Sequence, residues 1–391
     1  MSTIVDVDLL GDMKKFGAVD VSACFSCGNC TAICPLSDND GTFPRRIIRY
    51  AQVGMKTELL SSKELWTCYH CGLCSDSCPT EADPGEFMAT ARRYAIASYD
   101  RTRLARILYT RPVAGTAIAV GVAAFFAVFM YSAHGPQDGE RLALFEFIPD
   151  PIIHWTGIAV MALMVLAGVV GVATMALGVM RREAITLRSL VSSRAALSKT
   201  LAAAWSALGI ETLGQRRYRQ DCTDDEPVEP WWRRRWFIHA LTIWGFLGLL
   251  GATLIDWALA LTGIKATGTP IPLFYPSRLL GTVAGLSLIY GVSMFMLNRA
   301  TSYNRASTNS QASDWLLLIL LFLTGVTGFV IEAALYLPTA HAWGYWVFLF
   351  HVAVAMELML LLPFTKFAHA IYRPVALFFY SWVASSDTTK V

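Results

Sequence analysis

Eight of the nine cysteines in this 391-residue chain fall into two motifs whose spacing can do chemistry. Cys24-Phe-Ser-Cys27-Gly-Asn-Cys30-Thr-Ala-Ile-Cys34-Pro35 and Cys68-Tyr-His-Cys71-Gly-Leu-Cys74-Ser-Asp-Ser-Cys78-Pro79 both read C-x2-C-x2-C-x3-C-P. This is the run that holds 4Fe–4S clusters in bacterial ferredoxins. The close triplet wraps three irons of a cubane, and the fourth cysteine, turned away before its proline, ligates the other cluster. One cluster is therefore expected on Cys24, Cys27, Cys30 and Cys78, and the other on Cys68, Cys71, Cys74 and Cys34. A pair of zinc sites would explain four-cysteine groups, but not this spacing twice over with both prolines. His70, inside the second motif, reads as a supporting or surface residue, and Cys222, alone, as a plain thiol.

Imidazole is the second group with a chemical use. His351 and His369 lie about five turns apart in the apolar run from Trp343 to Arg373, so one continuous helix would present both on one face, roughly 27 Å apart. That rise approaches the thickness of a bilayer's hydrocarbon core. Ionisable groups inside such a span are costly and tend to mark function, and imidazole is a standard axial ligand of haem iron. Two haems stacked across a membrane need this arrangement. Two unrelated histidines, one of them interfacial, would leave the same pattern.

The elements that must position these groups follow from composition. The chain is 55% hydrophobic and only 16% charged, with a mean hydropathy of +0.46, so most of it is expected in lipid. The N-terminus lacks the basic, apolar and small-residue pattern of a secretory signal. Residues 1–111 have ordinary polarity and read as a small helical, ferredoxin-like domain for two clusters. It ends in a basic helix with Arg92, Arg93, Arg101, Arg103, Arg106 and Arg111, a connector suited to a membrane surface. Residues 112–391 read as a six-helix transmembrane bundle of b-type cytochrome kind, with spans near 113–133, 152–180, 236–263, 279–297, 315–337 and 343–367. The fold class is thus mostly α.

Charge sets the expected orientation. The 181–235 loop is crowded with Arg181, Arg182, Arg216, Arg217, Arg219, Arg233, Arg234 and Arg235, while 134–151 has Arg141 and 264–277 only Lys265. Positive residues stay inside, so both termini and both clusters are expected on the cytoplasmic side of the inner membrane. Tryptophans 155, 231, 232, 236, 315, 343 and 346 lie near the ends of runs, as an aromatic belt would. Within the long loop, residues 184–214 read as an amphipathic helix lying on the membrane. The loop serves either as a docking site for a soluble partner or as a connector.

Depth then sorts the histidines. His239 and His369 both lie at the cytoplasmic level, which suits bis-imidazole ligation of one haem b. His351 sits nearer the outer face, where His154 is the available partner for a second haem, or else an interfacial residue. His134 and His341 belong to outer loops, solvated or lining a substrate mouth. Glu357 lies mid-membrane and must be paired or neutral. It is a candidate for proton transfer or for a structural role.

At these residues the chain resembles known families. The cysteine motifs resemble the C subunit of heterodisulfide reductase. The membrane part resembles that enzyme's haem-bearing E subunit and the gamma subunit of respiratory nitrate reductase. Fused in one chain, they resemble QmoC, the membrane subunit of quinone-interacting membrane-bound oxidoreductase complexes. The nitrate reductase pattern places two histidines on one helix opposite two on the last. Here no histidine follows His239 on its run, so His154 stands in as a substitute. The resemblance implies two 4Fe–4S clusters, haem b (two, or one at minimum), and menaquinol as electron donor near the outer haem, where Lys265, Glu332, Asp256 and His154 are the candidate quinone-site residues. It implies two cytoplasmic flavin/iron–sulfur partners, QmoA- and QmoB-like, with electrons ending at adenylylsulfate (APS) reductase, and no nucleic acid. A heterodisulfide- or nitrate-type relay with another acceptor is the alternative. A transporter using Glu357, Glu332 and Asp256 would leave the eight cysteines unexplained.

Overall fold

Two short helices grow directly out of the cysteine motifs: α1 (Asn29–Ala32) and α2 (Leu73–Asp76). Each is entered through a glycine held at positive φ, Gly28 at 91° and Gly72 at 99°, a conformation that a side chain disfavours. The residue before the middle cysteine is left-handed as well, Ser26 at 61° and His70 at 56°. The two motifs therefore fold as copies of one loop. The chain is seen in a computed structural model, which describes residues 4–17, 21–38, 42–140, 142–221, 229–265, 272, 274–303, 305–337 and 343–387.

The next long element, α3 (Pro84–Tyr99), starts for local reasons. Asp83 accepts from the Glu86 amide at 3.2 Å and Pro84 occupies the first helical position, where its missing N–H is not needed. Among the described residues six helices are long and apolar enough to cross a membrane: α4 (Pro112–Ser132), α5 (Asp150–Arg182), α7 (Arg235–Leu261), α8 (Pro276–Ala300), α9 (Ala312–Ala334) and the stretch Gly344–Phe364, which begins with α10 (Gly344–Leu361). Between α5 and α7 runs α6 (Arg194–Trp205), and α11 (His369–Asp387) ends the described chain. Among the described residues every regular element is helical, the mostly-α class that the hydropathy pattern implies.

The sixth span is the centre of the bundle. Its apolar stretch is 61% buried, against 17% to 33% for the other five, because α4, α5 and α9 all pack on it. Helices α7 and α8 form the tightest pair. A Cβ on Gly245 would come within 2.6 Å of the Leu288 amide nitrogen, so only glycine allows that backbone approach.

One expectation is overturned. The 343–373 stretch is not a continuous helix: α10 stops at Leu361, a tight turn covers Leu362–Phe364, and Thr365 is extended with ψ at −178° before a second turn, Lys366–Ala368, leads into α11. Pro363 is the physical cause, since it has no N–H to give and its ring clashes with the preceding turn. His351 and His369 thus belong to different helices, and the five-turn register between them does not exist.

The cysteine-bearing segment is not tethered at a distance from the long helices. One apolar core runs from Leu9, Phe16, Ile47, Trp66 and Phe87 into Met175, Phe364, Ala368, Tyr372 and Ala376. Tyr372, on α11, lies 5.2 Å from the Trp66 ring and 5.2 Å from the Tyr99 ring. Arg182 at the end of α5 donates to the Glu58 carbonyl and the Ser62 hydroxyl, both at 2.7 Å. Lys63 meets Glu183 at 2.6 Å.

Candidate functional site

The thiols gather in two fours. Cys34, Cys68, Cys71 and Cys74 line one cavity together with Leu36, Phe43 and Met88. Burial pushes the Cys34 thiol up to about 12, and Cys68 and Cys71 beside it push the same way. Cys74 is driven up by burial and by Cys68, Cys71, Cys34 and Cys30. Cys30 is raised by burial and by its own neighbours Cys24, Cys27 and Cys78. Each triplet thus has the fourth cysteine of the other motif beside it. Crowded thiolates repel one another unless cations sit among them, so this donor set fits iron. Among the described residues no three His, Cys, Asp or Glu side chains converge on a single-ion site, and a cubane needs its thiolates wider apart than one ion does.

The two quartets are held differently. Gln52 supports the first, its Nε2 donating to the carbonyls of Val21 and Cys24, both at 2.9 Å, and Cys27 is exposed. The second is gripped by arginines. Arg92 donates to the Cys68 carbonyl at 2.8 Å, and Arg373 to the carbonyls of Cys68 and Thr67, both at 3.3 Å. Arg235 donates to the His70 carbonyl at 3.1 Å. Burial, then Arg92 and Arg235, keep the His70 imidazole neutral, well below its ordinary range.

Those arginines lead to the histidines. Arg235 lies one turn before His239 on α7, and Arg373 one turn after His369 on α11. The structure brings His239 and His369 together, ring centroids 6.3 Å apart. Each ring is fixed through its Nδ1: His369 at 2.6 Å from the Lys366 carbonyl, His239 at 3.0 Å from Gln215 Oε1. An Nδ1–H given to an oxygen leaves Nε2 as the free lone pair, the state a metal ligand needs. The break before α11 puts the Lys366 carbonyl in a turn ahead of that helix, where it can take this hydrogen bond. The two imidazoles would thus suit one metal ion, each offering an unprotonated Nε2.

A buried ionic knot joins the pair to the cysteine-bearing segment. Asp314, at the start of α9, meets Lys366 at 2.9 Å, Arg299 at 3.3 Å and Arg93 of α3 at 3.5 Å. Arg93 also holds Glu86 at 2.9 Å. One carboxylate thus ties the cluster side of three spans, α8, α9 and the sixth, to the helix that follows the second motif.

The far end is looser. His351 Nδ1 lies 2.9 Å from Thr327 Oγ1. That hydroxyl donates to the Leu323 carbonyl at 2.6 Å, so the imidazole is the donor and its Nε2 is free as well. His154 is elsewhere: its ring stacks on Trp257 at 5.9 Å, and among the described residues no ring contact or hydrogen bond joins it to His351. Lys265 and Asp256 bind each other at 2.5 and 2.7 Å, and Glu332 pairs with Arg278 at 3.1 Å and Thr282 at 3.2 Å. Glu357 is buried on α10, and its Oε1 has no hydrogen-bond partner among the described residues. His134 stacks on Tyr131 at 4.3 Å. His341 and Cys222 lie outside the described residues.

Sequence reasoning missed several of these groups. It counted Arg92 in the basic connector helix and Arg235 as an orientation charge and overlooked Arg373, although the one-turn spacings Arg235–His239 and His369–Arg373 were readable. Asp314 had a weak signal, a carboxylate opening an apolar helix. Gln215 and Tyr218 had none, because only folding brings the 206–221 segment to α7.

Comparison with known proteins agrees with this division. Residues 144–382 match the Citrate utilization protein B family, and residues 20–82 match the 4Fe-4S dicluster domain. The chain is 29% identical over 157 residues to Citrate utilization protein B of Escherichia coli, covering 40% of this chain and 39% of that protein. It is 37% identical over 62 residues to the C subunit of the H(2):CoB-CoM heterodisulfide,ferredoxin reductase of Methanothermobacter thermautotrophicus, 16% of this chain and 34% of that one. The same figures hold for the corresponding protein of Methanothermobacter marburgensis. The matches therefore span well under half the length of these relatives. No solved structure matches.

Proposed function

The chain belongs to the Citrate utilization protein B family, and from that premise we propose that it is a membrane electron relay between a quinone and a cytoplasmic oxidoreductase. One observation carries the reading: Arg235 and Arg373, a turn away from His239 and His369, hold the carbonyls of the second cysteine loop. Anything bound by the histidine pair is thereby coupled to anything bound by Cys34, Cys68, Cys71 and Cys74. When bound, haem b and two 4Fe–4S clusters supply one-electron carriers. The chain's own part is to line them up and exclude water. His239 and His369 offer Nε2 on the cluster side, and His351 on the far side, with His154 as the residue that must leave Trp257 to complete a second pair. Charge favours the cluster side as cytoplasmic. The far-side pairs Lys265–Asp256 and Glu332–Arg278 supply polar groups for a quinone headgroup, and Glu357 takes up or releases a proton.

Two readings of the partner differ in direction. The likeness to QmoC supports flow from menaquinol to two flavin/iron–sulfur subunits and on to APS reduction. The family match over 144–382 supports a second reading, in which the partner works in citrate utilization and, if it oxidises its substrate, sends electrons to the quinone. The purified full chain is expected to show b-type bands in a dithionite-reduced minus oxidised spectrum, with two haems per chain. A spectrum without them sinks the haem part. Menaquinol added to the chain in vesicles should reduce the clusters in the first reading. Clusters that instead discharge into oxidised menaquinone favour the second.

A further inference from the structure

We propose that Gln215, carried by the segment between α6 and α7, is the positioning residue that sets the proton and the ring angle of His239. The inference rests on the haem reading of the His239–His369 pair. Gln215 is 3% exposed, far from what a loop glutamine normally shows. Its backbone is left-handed at φ 50°, a conformation that non-glycine residues adopt rarely and mostly where the surroundings impose it. The surroundings here do impose it. An eight-residue π-helical turn, Ser206–Leu213, precedes it, an element that recurs at functional sites. Neighbours hold this segment on three sides: Leu213 takes the Trp244 indole N–H of α7 at 3.2 Å, Glu211 meets the Tyr69 hydroxyl at 3.3 Å, and Ser206 meets Ser381 of α11 at 3.3 Å.

The amide has a single orientation compatible with ligation. With Oε1 toward His239, 3.0 Å away, the imidazole gives up its Nδ1–H and keeps Nε2 unprotonated. With the amide reversed, Nε2 of the histidine would carry the proton and could not bind a metal. The chosen orientation leaves Gln215 Nε2 buried without a partner among the described residues. An unpaired buried donor is unfavourable by itself, and beside a ligand pair it suits a carboxylate arm of the bound group. Tyr218, one turn on, packs its ring at 5.2 Å from His239 and stacks on Tyr69 at 5.4 Å, so the same segment bridges to the second cysteine loop.

The test is redox titration and electron paramagnetic resonance of the full chain carrying Gln215→Glu or Gln215→Leu. Gln215→Glu is nearly isosteric, and its stronger acceptor makes the imidazole more electron-donating. The midpoint potential of the cluster-side haem should fall, while the far-side signal stays put. Gln215→Leu should shift that haem's low-spin signal and weaken its retention by about 10–100-fold. Should Gln215→Leu not fold, Gln215→Glu decides alone. A wild-type chain without b-type bands overturns the haem reading and this inference together. Wild-type bands with an unmoved potential and signal in Gln215→Glu overturn this inference only.

Discussion

The two ends of the bundle treat histidine differently. On the cluster side, His239 and His369 face each other with both Nδ1 atoms engaged, an arginine one turn away on each helix, and Asp314 beneath. On the far side, His351 has an equally fixed Nδ1, but its candidate partner, His154, rests on Trp257. The cluster-side pair is built by turns and loops: the break at Pro363 and the Gln215 segment. On the far side His351 and His154 both sit within regular helices, which present side chains at fixed heights and angles. A two-sided site is easier to complete where irregular backbone can bring a second group to the first.

The largest effect expected on this comparison comes from Cys74→Ser, which removes one quartet at the arginine-gripped loop. Iron per chain should fall by about half. Retention of all the iron would mean that Cys74 is not a ligand. His369→Ala and His351→Ala should each remove a different b-type band. If both variants lose the same band, the two ends do not act as separate sites.

Asp314→Asn keeps the shape but leaves Lys366, Arg299 and Arg93 facing a neutral amide. Losing one partner of a buried ionic cluster destabilises by about 3–5 kcal/mol. Iron should therefore leave at a lower temperature, while Asp256→Asn, in the far-side pair, leaves that temperature unchanged. Equal shifts would remove the distinction between the ends. The last test is His154→Ala, which should lose the same far-side band as His351→Ala does. A smaller loss would show that His154 stays on Trp257 and completes no pair.

Much of this was legible in the sequence because it is encoded at short range. Two C-x2-C-x2-C-x3-C-P runs name their ligands whatever else the chain does, and the crossing of the fourth cysteines follows from the same spacing. Six apolar runs announce six helices because the cost of burying backbone in lipid leaves few other shapes. Pro363 is readable too, yet it does not by itself announce a break, since proline is tolerated in apolar helices where neighbours satisfy the freed groups. Here the helix does end, and the extended Thr365 marks the break.

By itself, then, the sequence determined which residues could bind iron and which stretches are apolar enough to span a membrane, because bond lengths and helical rise connect neighbours along the chain. Depth along the apolar runs already paired His239 with His369, whereas only tertiary structure put His351 and His369 on separate helices and His154 against Trp257. His239 and His369 are separated by two entire helical hairpins in sequence, and Gln215 reaches them from a segment with no motif. Packing across distant elements set their angles and their free nitrogens, and no local spacing carries that information.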